Sequence, residues 1–175
     1  MILLRVFVLF AVLSSCASTK KDSEEPQIRP PVVNCPEGGD CTFEVLQNSS
    51  LVLKRDEIGM LYPEIEEGNN VVLRYHYKKD TDPSAMDSNY SEYVLMEINS
   101  GRVELSLRDK QLQKVKMTFG RICYCKGEMG YFPVRNGQLF IYQKNGKLQV
   151  RTSFKVPKIP QIVKEVNEEL TYYPK

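Results

Sequence analysis

The chain has 175 residues, with 24 Lys and Arg against 22 Asp and Glu, one His and no Trp. That length suits one domain with a single hydrophobic core, and a content of 42% apolar and 26% charged residues excludes wholesale disorder, a collagen-like repeat and a polytopic membrane protein. The near balance of charge gives no electrostatic basis for a nucleic-acid partner.

At the N-terminus Arg5 precedes the apolar run VFVLFAVL of residues 6–13, which is followed by Ser14, Ser15 and Cys16. The run is far shorter than the about 20 residues a membrane-spanning helix needs, and it matches a secretory h-region with small residues at its end. The block Leu13-Ser14-Ser15-Cys16 resembles the bacterial lipobox. That resemblance implies cleavage before Cys16 and acylation of its sulfur and amino group. Each buried acyl CH₂ contributes about 0.8 kcal/mol, so a cysteine carrying more than one chain is anchored durably. Ala17, in place of an Asp, leans by the same resemblance toward the outer membrane. Residues 17–33 are polar, mixed in charge and contain three prolines, the composition of a flexible tether. The division is therefore a signal at 1–15, an acylated cysteine and tether at 16–33, and one domain at 34–175.

Beyond Cys41 the apolar period is mostly two. Val71, Leu73, Tyr75 and Tyr77 alternate with Val72, Arg74, His76 and Lys78, which predicts a strand with His76 on the wetted face. Residues 93–98 and 102–107 flank Asn99-Ser100-Gly101 and read as a hairpin. Residues 139–144 and 147–154 flank Asn145-Gly146, the strongest short signal for a type I′ turn. With strands expected at 42–46, 51–54 and 114–124, about eight strands follow one another as an antiparallel meander, mainly β, closed into a barrel or folded into a sandwich. Ile162, Val163, Val166 and Leu170 recur at helical spacing after Pro160 and predict one C-terminal helix. Strands followed by a helix resemble the lipocalin-like calycin barrels, but the chain has no tryptophan and lacks their Gly-x-Trp signature.

Four cysteines remain besides Cys16: Cys35 and Cys41 in CPEGGDC, and Cys123 and Cys125 in RICYCKG. An even number in an exported chain points to two disulfides. An extended i, i+2 pair sits near the upper limit of bridgeable Cα separation, which favours bridges from the 35–41 loop onto the 123/125 strand. Such a bridge would contribute about 4 to 5 kcal/mol, against about 2 for a local one. A Cys₄ zinc site is disfavoured by the C-x₅-C and C-x-C spacings, so neither metal nor cofactor is expected. A redox-active C-x-C has no histidine or thioredoxin-like pattern beside it.

Ten tyrosines fall largely on strands, where aromatics are favoured. The stretch of residues 130–137 follows the cysteine strand and carries glycines, aromatics and a proline, so Tyr124, Tyr131, Phe132 and Arg135 form the candidate ligand surface for a small ligand or glycan. Asp80, Asp82 and Asp87 lack the spacing of a calcium loop. There is no nucleophile elbow, P-loop, dinucleotide fingerprint or zinc-protease motif, and His76 has no carboxylate beside it in sequence. Glu64, Glu66, Glu67, Glu92, Glu97 and Glu128 leave a carboxylate-based envelope enzyme as an alternative.

GRICYCKGEMGYFPV and NCPEGGDCTFEVL together resemble a family of small envelope lipoproteins of unassigned function, over about residues 34–172. The resemblance implies no activity or catalytic residue. The sequence thus predicts a lipid-anchored, disulfide-stapled β domain at the cell envelope, acting as a binding or protein-interaction module. Its expected partners are the membrane and an envelope protein, and a small-ligand or glycan carrier with a calycin-like barrel is the alternative.

Overall fold

A computed structural model describes residues 34–81, 89–101 and 104–172. The lipobox with Cys16, the tether, Asp82 and Asp87 lie outside them. The described strands are β1 (Gly39–Arg55), β2 (Leu61–Lys79), β3 (Tyr90–Asn99), β4 (Glu104–Arg108), β5 (Thr118–Cys123), β6 (Gly130–Pro133), β7 (Gly137–Lys144), β8 (Lys147–Phe154) and β9 (Glu165–Thr171), with a 3₁₀ helix at Asp109–Val115. They form two antiparallel sheets, β1-β2-β3-β5-β6 and β4-β7-β8-β9. No described strand of one sheet pairs with a strand of the other, so the architecture is a sandwich and not the closed calycin-like barrel.

Inward-facing side chains of both sheets fill the space between them. Phe43, Leu73, Tyr75, Val94, Met96 and Phe119 come from the larger sheet, and Leu139, Ile141, Leu148, Val150 and Val166 from the smaller; none is more than 1% exposed. The expected alternation along residues 71–78 is present, with Val71, Leu73, Tyr75 and Tyr77 all buried in this core and His76 on the opposite face. The Asn145-Gly146 hairpin is also present, both residues having the positive φ (53° and 73°) that a type I′ turn requires.

Three expectations about individual elements fail, each for a physical reason. Residues 93–98 and 104–107 form no hairpin, and Arg102 and Val103 lie outside the described residues. β3 already has β2 on one side and β5 on the other, so β4 crosses to the second sheet and pairs with β7. The strand expected at 114–124 begins only at Thr118, because the 3₁₀ helix before it buries Leu112 and Val115 on one side. The C-terminal helix is instead β9. Val166, Glu168 and Leu170 point inward at a period of two, and Tyr172 follows them into the core. Glu168, 2% exposed, is the polar inward residue that hid that period.

β1 and β2 are longer than the sheet they belong to. Their first pairing, Gly39↔Lys79 to Gln47↔Val71, lies within the larger sheet. A bulge around Ser49 and Asn70 then turns the remainder, residues 50–67, into a two-stranded arm. The arm lies over the outer face of the sheet. Its Leu51, Leu53 and Ile65 pack on Val72 and Leu95, and Tyr131 of β6 joins the same small cluster. Glu97 fastens it: the carboxylate accepts from Leu51 N (2.6 Å), Asn70 Nδ2 (2.9 Å) and Lys116 Nζ (2.9 Å), while Lys116 Nζ also donates to Leu51 O (2.8 Å). Pro63 is tolerated because this half of β2 has a strand neighbour on one side only.

The disulfides are local, Cys35–Cys41 and Cys123–Cys125. The expected cross-bridging is excluded by register, since Cys41 pairs with Tyr77, Tyr77 with Glu92, and Glu92 with Arg121. Two strands therefore separate β1 from β5, a gap of about 14 Å that no disulfide spans. The chain bends at Tyr124, which brings the Cys123 and Cys125 Cα atoms to 5.2 Å. The 35–41 loop closes the end of the larger sheet's inner face. Tyr75 Oη donates to Cys41 Sγ (3.0 Å) and Tyr77 Oη to Gly38 O (3.1 Å).

Candidate interaction surface

The most exposed large apolar side chains gather at one corner of the larger sheet. Tyr124 stands between the two bonded cysteines, 85% exposed although Cys123 beneath it is only 6% exposed. The disulfide closes a small ring on which this side chain is presented, so the backbone around Tyr124 has little freedom left to lose. Ile122 before it and Met129 after it are 37% and 50% exposed.

This corner is braced from inside. Arg121, 8% exposed, donates from Nη1 to Glu128 Oε2 (2.8 Å) and from Nε to Tyr90 Oη (3.2 Å), and its guanidinium lies 5.3 Å from the Tyr90 ring centroid. Tyr90 in turn donates to the fully buried Glu92. Burial, helped by the Glu92 carboxylate, pushes the Tyr90 phenol up to about 12, so it remains a donor. Glu92 also accepts from Ile162 N (2.9 Å) and Val163 N (2.6 Å), which ties the segment entering β9 to β3. One chain of polar contacts, buried at Glu92 and Arg121 and half-exposed at Glu128, therefore runs from the segment entering β9 to the loop that displays Tyr124.

The tip of the arm reaches the same corner. Met60 Cε would lie 3.0 Å from a Cβ built on Gly130 of β6. Its turn is fastened by Asp56, whose Oδ1 accepts from Ile58 N (3.1 Å) and Met60 N (2.7 Å), and by Arg55 Nη1 donating to Gly59 O (2.6 Å). That turn displays Ile58 at 84% exposure, with Met60 and Tyr62 less so. Ile58, Met60 and Met129 were not legible as surface residues. An isolated apolar residue at a Gly-containing turn was the only signal available for Ile58.

The structure places the four residues predicted as a ligand surface in different surroundings. Tyr124 belongs to the exposed corner. Tyr131 lies on the outer face, its Cε1 2.4 Å from where a Cβ on Gly120 would stand, with its ring centroid 6.5 Å from that of Tyr93. Phe132, opposite Phe119 in register, packs against the core, and Arg135 is exposed beyond the end of β6. His76 stacks on Tyr93 with ring centroids 4.3 Å apart and shares a hydrogen bond with Ser91 (3.1 Å). Burial, followed by the nearby Arg74 and Lys78 charges, holds its pKa below the usual imidazole value.

Five of the six candidate carboxylates have partners of their own, and Glu67 is exposed on the arm. Glu64 and Glu66 pair with Lys54 on the arm, Glu97 clasps the arm, Glu128 pairs with Arg121, and Glu92 is buried. All four domain cysteines are disulfide-bonded, and no group of three metal-ligating side chains occurs among the described residues. Comparison of the chain with protein-family models, with curated proteins and with solved structures finds no match.

Proposed function

We propose that this chain is a lipid-anchored protein-interaction module of the cell envelope. Acylated Cys16 holds it at the membrane, on the outer-membrane side of the sorting rule, and the Tyr124 corner is its contact point for an envelope protein. The observation that carries this reading is Tyr124 itself, an 85% exposed aromatic on a disulfide-closed ring braced by buried polar contacts. Large aromatics whose ordering entropy is already spent are what anchor protein interfaces. A ring with no other evident stabilising task in the fold is explained by presenting that side chain. Ile122, Met129, Met60 and Ile58 supply the apolar surround.

The test is photo-cross-linking of the full acylated chain in the cells that make it, with p-benzoylphenylalanine at position 124 and, as a control, at exposed Thr171 on β9. The expected result is a discrete protein adduct at 124, lost when Cys123 and Cys125 are both Ser, and absent at 171. Adducts to lipid alone, or equal labelling at both positions, would overturn the reading.

A further inference from the structure

On the opposite side of the sandwich the outer face of the smaller sheet carries a groove of about 270 Å³, and we infer that it binds a neutral saccharide. Register builds its floor. Gln138, Ser153 and Glu165 form one row across β7, β8 and β9, and Phe140, Arg151 and Asn167 form the next. Phe140 is 40% exposed in the middle of the face, and Tyr142, two residues on and on the same side, is 38% exposed.

The polar residues of this groove are not engaged with one another. Lys147 and Gln149 both donate to Glu169 at the far end of the face, so that end satisfies itself. By contrast, the side chains of Gln138, Arg151, Ser153, Glu165 and Asn167 make no hydrogen bond or ion pair with another described residue. Arg151 and Glu165 are diagonal neighbours of opposite charge that form no ion pair with each other, although the Arg151 charge is felt at Glu169. With Asn34, which also lines the groove, three amides, a hydroxyl, a guanidinium and a carboxylate thus surround an exposed aromatic ring, donors and acceptors together, with no net charge.

That chemistry selects a class of ligand. A sugar ring presents C–H bonds on its face, which pack on an aromatic ring, and hydroxyls on its rim, which need donors and acceptors in alternation. An anionic ligand would meet Glu165 and a cationic one Arg151, and the wall is about equally polar and apolar, which suits a ligand that carries both kinds of surface. The volume lies just below the roughly 300 to 1,000 Å³ of small-ligand pockets, room for one ring or the end of a chain.

The test uses the full chain in a phosphocholine detergent, with cellobiose, maltose and N,N′-diacetylchitobiose as probes read by saturation-transfer NMR. The expected result is transfer to at least one disaccharide, with affinity weakened about tenfold in Phe140→Ala and in Asn167→Ala. Both replaced side chains line an exposed face, and unchanged melting confirms folding. Tyr124→Ala, on the other side of the molecule, leaves the sugar response intact, so loss of the protein contact and loss of the sugar site are separable. No transfer to any of the three, transfer unaffected by both groove variants, a stronger response from glucuronic acid or glucosamine, or occupation of the groove by a peptide of residues 22–33 would each overturn the inference.

Discussion

Tyr124 and the core tyrosines are the same residue type put to opposite uses. Tyr75 and Tyr77 spend their rings on the interior and their hydroxyls on the 35–41 loop, whereas Tyr124 spends neither inside the fold. Its removal therefore costs little stability. Tyr124→Ala is expected to shift unfolding by less than about 0.5 kcal/mol in denaturant titration while abolishing the protein contact. His76 makes a prediction of another kind. Because its folded pKa lies below the unfolded value, the unfolded chain binds the proton more readily, and stability declines as pH falls from about 7 toward 5. His76→Gln should flatten that slope in melts recorded across this range. Glu97 acts in a lower window. Burial raises its pKa, but the hydrogen bonds from Lys116, Leu51 and Asn70 together outweigh it and hold the carboxyl below its usual value. Its contribution is therefore present at neutral pH and is lost as pH falls through that depressed value.

At the scale of elements, the arm is the part most dependent on single contacts. It has no strand neighbour beyond its own hairpin, a small apolar cluster beneath it and the Glu97–Lys116 clasp at its root. Glu97→Ala is expected to cost about 2 to 3 kcal/mol and to speed amide exchange over residues 50–67 more than in β7 and β8, measurable by hydrogen–deuterium exchange. The core strands and the Asn145-Gly146 hairpin were legible because their pattern and turn chemistry are local. Of the arm only the strand at 51–54 was: Pro63, Gly68 and four glutamates between residues 57 and 67 resemble a loop unless the sheet face beneath is known. β9 was misread as a helix because buried Glu168 breaks the alternation, while Val163, Val166 and Leu170 happen to recur at helical spacing. The candidate site was legible only at Tyr124. The arm tip and the Phe140 face depend on which strands become neighbours, which periodicity does not carry.

For the whole molecule, two local disulfides sit at one end of the larger sheet, where Gly39 pairs with Lys79 and Tyr90 with Cys123. Neither ties distant parts of the chain together, so the sandwich rests on its packed interior. Replacing Cys35 and Cys41 by Ser is expected to cost about 2 kcal/mol and leave the domain folded, where a long-range staple would cost about 4 to 5. Peptide mapping without reduction should return the pairs 35–41 and 123–125. This arrangement leaves the second bridge free to serve the surface, and the interaction reading stands on that. The most direct test is native mass spectrometry of the full chain isolated gently from the cells that make it, alongside its Tyr124→Ala form. The unaltered chain is expected to carry a protein partner that leaves on denaturation, and the variant to emerge alone. A bare, monomeric unaltered chain, or a variant that retains the partner, would contradict it.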